Sequence, residues 1–166
     1  MKQILFVLAF AFLIASCASK QEPKTIYIVR HAEKQLTGND PELSVAGAAR
    51  AGKLAQILSD KNITHVFSTD YKRTKMTATK TANEAGVQIE TYEPKNHDVL
   101  VEQIRNIEGN VLVVGHSNTV GQIANYFVGD GVKYEDLNDS EYNFIYVVKI
   151  GKDGNSSVAR KTYKDF

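Results

Sequence analysis

Thr25-Ile26-Tyr27-Ile28-Val29 is β-branched and aromatic throughout and runs directly into Arg30-His31. Such a run reads as a buried strand. Asn110-Val111-Leu112-Val113-Val114 is the most apolar strand candidate of the chain, and it ends the same way, at Gly115-His116. Two strands that each deliver a histidine at the carboxyl end point to an open α/β sheet, where ligands bind in the crevice beyond the strand ends.

Working outward, helical and extended segments alternate. Ser44 is placed to cap a helix to about Ser59, with Ala48, Ala51, Ala55 and Leu58 on its core face. Thr64–Ser68 reads as a second strand. Arg73–Ala85 reads as a helix with Ala78, Ala82 and Ala85 inward and Gly86 as its C-cap. Val87–Tyr92 is a third strand candidate, and Asp98–Ile107 is a helix with Val101, Ile104 and Ile107 at helical spacing. Val120–Val128 is a last helix, closed by Gly129. The alternation predicts an α/β three-layer sandwich, a mainly parallel sheet with helices on both faces. Phe144–Ile150, Lys152-Asp153-Gly154 and Ser157–Tyr163 predict a C-terminal antiparallel hairpin at a sheet edge.

The 166 residues suffice for one domain, and 43% hydrophobic content excludes a disordered chain. The 20 basic and 19 acidic residues nearly cancel, so no basic excess exists to grip a nucleic acid backbone, and no nucleic acid partner is expected. A single cysteine forbids an intramolecular disulfide and the usual cysteine-based zinc sites.

That cysteine ends the N-terminal segment. Lys2 precedes Ile4–Ala15, twelve residues without a polar side chain. A membrane span needs about 20 apolar residues, a signal-peptide core roughly 7–15. Leu13-Ile14-Ala15-Ser16-Cys17 resembles the lipobox of bacterial lipoproteins. The resemblance implies cleavage before Cys17, lipid attachment there, and a chain exported to the bacterial cell envelope. Ala18, where an aspartate would favour the inner membrane, favours the outer one. Cleavage removes Lys2 and leaves basic and acidic residues equal, so attachment must come from lipid and not from charge. The expected organisation is a signal peptide over 1–16, a lipidated tether over 17–24 and one domain over 25–166.

Three distant segments bring polar and cationic groups to one sheet edge: Arg30-His31, Ser68-Thr69-Asp70 leading to Arg73, and Gly115-His116-Ser117. Arg30-His31-Ala32-Glu33-Lys34 resembles the RHG signature of the histidine phosphatase superfamily, the phosphoglycerate mutase-like proteins. Leu43-Ser44 followed by Gly47 resembles that family's L-T/S-x-x-G element. Ser68 through Arg73 to Thr77-Ala78 resembles its element of a serine, an arginine and then x-x-x-T-A, and Gly115-His116-Ser117 its second histidine motif. The order matches over Thr25–Val128. Ala32 stands where the family has a glycine.

The resemblance implies a phosphoric monoester hydrolase, with His31 as the nucleophile that forms a phosphohistidine. A phosphomonoester carries about −1.5 to −2 charges near neutral pH. Arg30 and Arg73 fit as guanidinium clamps on its oxygens, and a protonated His116 adds a third cation, with Ser117 beside it in the binding set. The cations are side chains, so the scheme requires no metal and no cofactor. The general acid is sought after the arginine helix, where Glu93 is favoured over Asp98; Glu33 is a further candidate by closeness to His31. Ser117 occupies the position of the aspartate that serves the phytase-like branch.

The substrate is expected to be a phosphorylated small molecule or a phosphorylated protein group. A phosphoglycerate-type mutase and a non-catalytic lipoprotein that binds phosphorylated ligands are the alternatives. The short domain argues against the first, and the retained His31 against the second. Taken singly, Arg73 would be a solvated helix residue and His116 a satisfied core histidine. His65 and His97 are expected to be structural or surface residues. Tyr71 is close enough in sequence to line the pocket. Specificity is expected from the loops 36–42, 93–97 and 129–139.

Overall fold

The computed structural model describes residues 22–166. The signal peptide expected over 1–16 and the lipid attachment expected at Cys17 lie outside the described residues. Ten elements follow in order: β1 (Lys24–Arg30), α1 (Val45–Leu58), β2 (Ile63–Ser68), α2 (Lys72–Ala85), β3 (Ile89–Thr91), α3 (His97–Asn106), β4 (Asn110–Gly115), α4 (Val120–Asn125), β5 (Phe144–Ile150) and β6 (Ser156–Thr162). They build one six-stranded sheet in the order β3-β2-β4-β1-β5-β6. The first four strands of that order are parallel, and β5 and β6 run antiparallel to their neighbours.

Side-chain alternation along the strands feeds two cores. On one face Ile26, Ile28, Phe67, Val111 and Val113 pack against Leu100 and Ile104 of α3 and Ile123 and Phe127 around α4. On the other, Tyr27, Val29, Val66, Leu112 and Val114 pack against Leu54 and Leu58 of α1 and Ala78 and Ala82 of α2. The three-layer α/β sandwich and its C-terminal hairpin are therefore as expected.

The helices differ from the reading in detail. Ala48 and Ala85 are exposed; the inward stripe of α1 passes through Gly47, Ala51, Leu54 and Leu58. Alanine is small enough for either face, so a stripe drawn on alanines alone is shallow. Gly86 caps α2 as expected, in the left-handed conformation (φ 69°) that glycine adopts without strain. The last helix closes at Asn125 and not at Val128, although Phe127 beyond it remains buried. β1 begins at Lys24, whose buried ammonium donates to the carbonyls of Ile104 at 2.7 Å and Arg105 at 2.9 Å. It thereby satisfies the C-terminal carbonyls of α3.

Candidate active site

Parallel pairing aligns the strand ends. Arg30 stands opposite Gly115, and Ser68 opposite Val114, so the segments after β1, β2 and β4 emerge side by side. The backbone N–H of His31 donates to the Gly115 carbonyl at 2.9 Å, carrying the β1–β4 pairing one residue past the strand. His31 and His116 lie edge-to-face with ring centroids 5.5 Å apart.

His31 is buried, and its Nδ1 lies 2.8 Å from the Ala32 carbonyl. A carbonyl can only accept, so Nδ1 carries the proton and Nε2 is the bare nitrogen. Burial pushes the imidazole down to about 3, with Arg73 and Arg30 adding to the effect and the Ala32 carbonyl opposing it. The ring is neutral at physiological pH and has an unshared pair on Nε2. Alanine in place of glycine at position 32 leaves this contact intact, because a backbone carbonyl makes it.

The hydroxyl network fixes His116. Thr74 donates to the Thr69 carbonyl at 2.9 Å, and Thr69 Oγ1 donates to Thr74 Oγ1 at 3.0 Å. The proton of Thr69 is thus committed, and its oxygen accepts from His116 Nε2 at 2.9 Å. Nδ1 is then the bare nitrogen, 3.4 Å from Arg73 Nη2. The expectation of a protonated His116 concerns its complex with phosphate, not the imidazole alone. Burial, then Arg73 and Arg30, hold it down at about 4. A phosphate dianion would reverse that balance by supplying the opposite charge.

Arg30 is buried, and its Nη1 donates to the carbonyls of Asn138 at 2.7 Å and Asp139 at 3.1 Å. The ring of Tyr142 covers the guanidinium at 4.0 Å. Arg73 stacks on Tyr71 at 4.4 Å, and its Nη1 lies 3.6 Å from the Asp40 carboxylate. Each Nε–H is buried without a protein partner, so both arginines keep donor capacity that the fold has not used. Tyr71 meets His116 edge-on at 5.0 Å, and Tyr142 lies 6.1 Å from His31. Tyr71 thus sits at the site as expected. Thr69 joins it from within the Ser68–Ala78 motif and Asp40 from the 36–42 loop, whereas Tyr142 comes from a position whose sequence pattern carries no warning. Ser117 is half-buried at the end of β4, where its carbonyl accepts from the Leu137 backbone at 2.9 Å.

The carboxylates separate. Glu33 is gripped by Arg50 through contacts of 2.6 to 3.0 Å, which hold its carboxyl below the usual range. Both Glu33 oxygens are taken by Arg50, so Glu33 serves as that arginine's ion-pair partner. Asp98 accepts from the Tyr126 hydroxyl at 2.7 Å, on the first turn of α3. Glu93 is exposed and lines a groove with Asp70, Tyr71, Thr91, Tyr92 and Pro94, and Tyr71 links that groove to His116. His65 and His97 stay outside the cluster: His65 stacks on Phe67, and His97 begins α3. Among the described residues no group of three His, Cys, Asp or Glu side chains is placed to hold a metal ion, and no helix is long and apolar enough to cross a membrane.

A buried Arg-His pair, a second histidine and a second arginine converge at the carboxyl edge of a mainly parallel sheet, an arrangement suited to holding an anion. Residues 26–94 match the model of the Histidine phosphatase superfamily (branch 1). Human 6-phosphofructo-2-kinase/fructose-2,6-bisphosphatase 4 is 43% identical over 63 residues, 34% of this chain. The match spans only 13% of that longer protein. The structure of the protein histidine phosphatase SixA complexed with tungstate superposes with a TM-score of 0.68 at 16% identity, covering 85% of this chain and 98% of that one. Phosphoglycerate mutase from Bacillus anthracis gives 0.65 at 14% identity, over 86% and 94%. Mycobacterial glucosyl-3-phosphoglycerate phosphatase gives 0.63 at 10% identity, over 85% and 98%. These three likenesses are of fold.

Proposed function

We propose that this protein is a phosphatase that hydrolyses phosphomonoesters through a phosphohistidine on His31. The observation that carries the reading is the 2.8 Å contact of His31 Nδ1 with the Ala32 carbonyl, which leaves Nε2 bare between two arginines and a second histidine. In the first step Nε2 attacks phosphorus and the ester oxygen departs in line with it. Arg30, Arg73 and a His116 that takes up a solvent proton as the dianion binds balance the equatorial oxygens, so charge compensation comes from side chains. Glu93 delivers the proton to the leaving oxygen. In the second step water attacks the phosphohistidine and passes a proton to the Glu93 carboxylate, the N–P bond breaks, phosphate leaves, and both residues return to their starting forms.

Phosphate release from a panel of phosphomonoesters, measured with the full chain and with His31→Ala, tests the reading. Turnover that vanishes in the variant, with an acid-labile phosphoryl group trapped on the wild type, is the expected result. Equal turnover in both proteins would overturn it.

Export and lipid anchoring at Cys17 belong to the same proposal and rest on the sequence 13–17. Metabolic labelling with a fatty acid, present in the wild type and absent in Cys17→Ser, is the corresponding test.

A further inference from the structure

One nitrogen of Arg30 belongs to the fold, and one edge of its guanidinium does not. Nη1 donates to three carbonyls, those of Asn138 at 2.7 Å, Asp139 at 3.1 Å and Glu141 at 3.4 Å. The Nε–H is buried without a partner. Nη2 makes one long hydrogen bond, to the Tyr142 hydroxyl at 3.4 Å; the exposed Asp139 carboxylate stands 3.9 Å away, beyond hydrogen-bond reach. Nε and Nη2 are neighbouring donors of a rigid planar fork, and such an edge matches two phosphate oxygens.

The carbonyls that hold Nη1 lie on the segment just before Tyr142, so the arginine fixes the backbone that delivers the tyrosine to it. The half-buried ring lies 4.0 Å from the guanidinium carbon, and its centroid is 6.1 Å from that of His31. The hydroxyl accepts from Nη2, while its own proton has no acceptor among the described residues. A phenolic hydroxyl accepts and donates at once. An oxyanion seated on the Nε–Nη2 edge stands beside that proton and is a stronger acceptor than water.

We propose that Tyr142 is a further phosphate-binding residue, whose hydroxyl donates to a non-bridging phosphoryl oxygen held by Arg30. This rests on the reading of the site as a phosphate pocket, and it adds a neutral donor to the cations there. A non-bridging oxygen is present before, during and after phosphoryl transfer. The contact therefore acts on substrate, transition state and product phosphate alike, which lowers KM more than it raises kcat.

Calorimetric binding of sulfate and of inorganic phosphate to the full chain tests the assignment, with Tyr142→Phe and Tyr142→Leu beside the wild type. The first variant removes only the hydroxyl, and the second also uncovers Arg30. A hydrogen bond to a charged group is worth about tenfold in affinity at its lower end, the end that suits a half-buried donor. Tyr142→Phe should weaken both anions about tenfold and leave the thermal midpoint of the anion-free protein unchanged. On a phosphomonoester that the wild type hydrolyses, its KM should rise by a similar factor, with kcat within about twofold. Equal anion affinity in wild type and Tyr142→Phe overturns the proposal; a loss confined to Tyr142→Leu then assigns the tyrosine to packing on Arg30, with the phosphate pocket still standing. A lowered anion-free midpoint in Tyr142→Phe also overturns it, because the hydroxyl then acts through the fold. Binding of neither anion by the wild type overturns the phosphate pocket and this inference with it.

Discussion

Thr77 Oγ1 accepts a hydrogen bond from the backbone N–H of Ala32 at 2.9 Å and donates one to the Arg73 carbonyl at 2.7 Å. One hydroxyl on α2 thus joins the loop that carries His31 to the turn that carries Arg73. Both Thr77 and Ala32 are fully buried. Thr77→Val keeps the shape and removes both bonds, leaving a buried N–H without a partner. The expected cost is about 1–3 kcal/mol in urea denaturation, with a fall in kcat larger than any change in KM, because the position of His31 is what loosens.

Gly47 carries a second constraint on the same loop. A Cβ at that position would lie 2.0 Å from the Glu33 carbonyl oxygen and 2.9 Å from its carbon. The N-terminus of α1 approaches the backbone of Glu33 this closely because Ser44 donates from its N–H to the same carbonyl at 2.9 Å. Gly47→Ala gains about 1 kcal/mol of helix propensity and must displace backbone to do so. The net effect is a loss of about 1–3 kcal/mol in thermal or urea unfolding, with reduced turnover, since the displaced segment starts two residues after His31.

Asp40 links the loop 36–42 to α2. Tyr71 occupies the N-cap of α2 without capping it through its side chain; the Asp40 carboxylate accepts from the Lys72 N–H at 3.2 Å instead. The same carboxylate neighbours Arg73 at 3.6 Å and so competes with a bound phosphate for that cation. Asp40→Ala should lower stability by about 1 kcal/mol through the lost cap. Asp40→Asn should keep the cap and tighten phosphate binding about two- to fivefold. Weaker binding in Asp40→Asn would instead make the carboxylate a support for Arg73.

The legible part of the molecule was the part that repeats. Apolar runs ending in Arg30-His31 and Gly115-His116 place both histidines at one sheet edge, and Arg73 follows from its position at a helix start. Asp40 and Tyr142 come from loops, where neither periodicity nor turn chemistry says what a side chain reaches. Thr69 lay within a recognised motif, yet its bond to His116 depends on where three chain segments meet. The low proton affinity of His116 is not legible either, because it comes from burial beside two arginines that meet only in the fold.

Those buried histidines also set an acid limit on stability. An unfolded histidine binds its proton near 6.5, whereas folded His31 does so only at about 3 and His116 at about 4. The unfolded chain therefore holds more protons between these values, and stability falls as pH falls from about 6.5 toward 4. Each pH unit in that window costs up to about 1.4 kcal/mol per histidine. Urea midpoints across the window should decline in the wild type and decline less steeply in His31→Asn, compared after normalising each protein to its value above pH 6.5.

The same low value at His116 makes anion binding take up a proton. Nδ1 is bare in the empty site and faces Arg73 at 3.4 Å, and a dianion between the arginines raises its affinity for a proton. The complex then holds one more proton than the free protein, so affinity must rise as pH falls through the liganded value. Sulfate is the suitable probe, because its own charge is constant across the range. Calorimetry in buffers of different ionisation enthalpy should show uptake of up to one proton near neutral pH in the wild type and none in His116→Gln. Uptake that persists in His116→Gln would move the proton to His31, whose Nε2 would then be protonated and unable to attack phosphorus while the anion is bound.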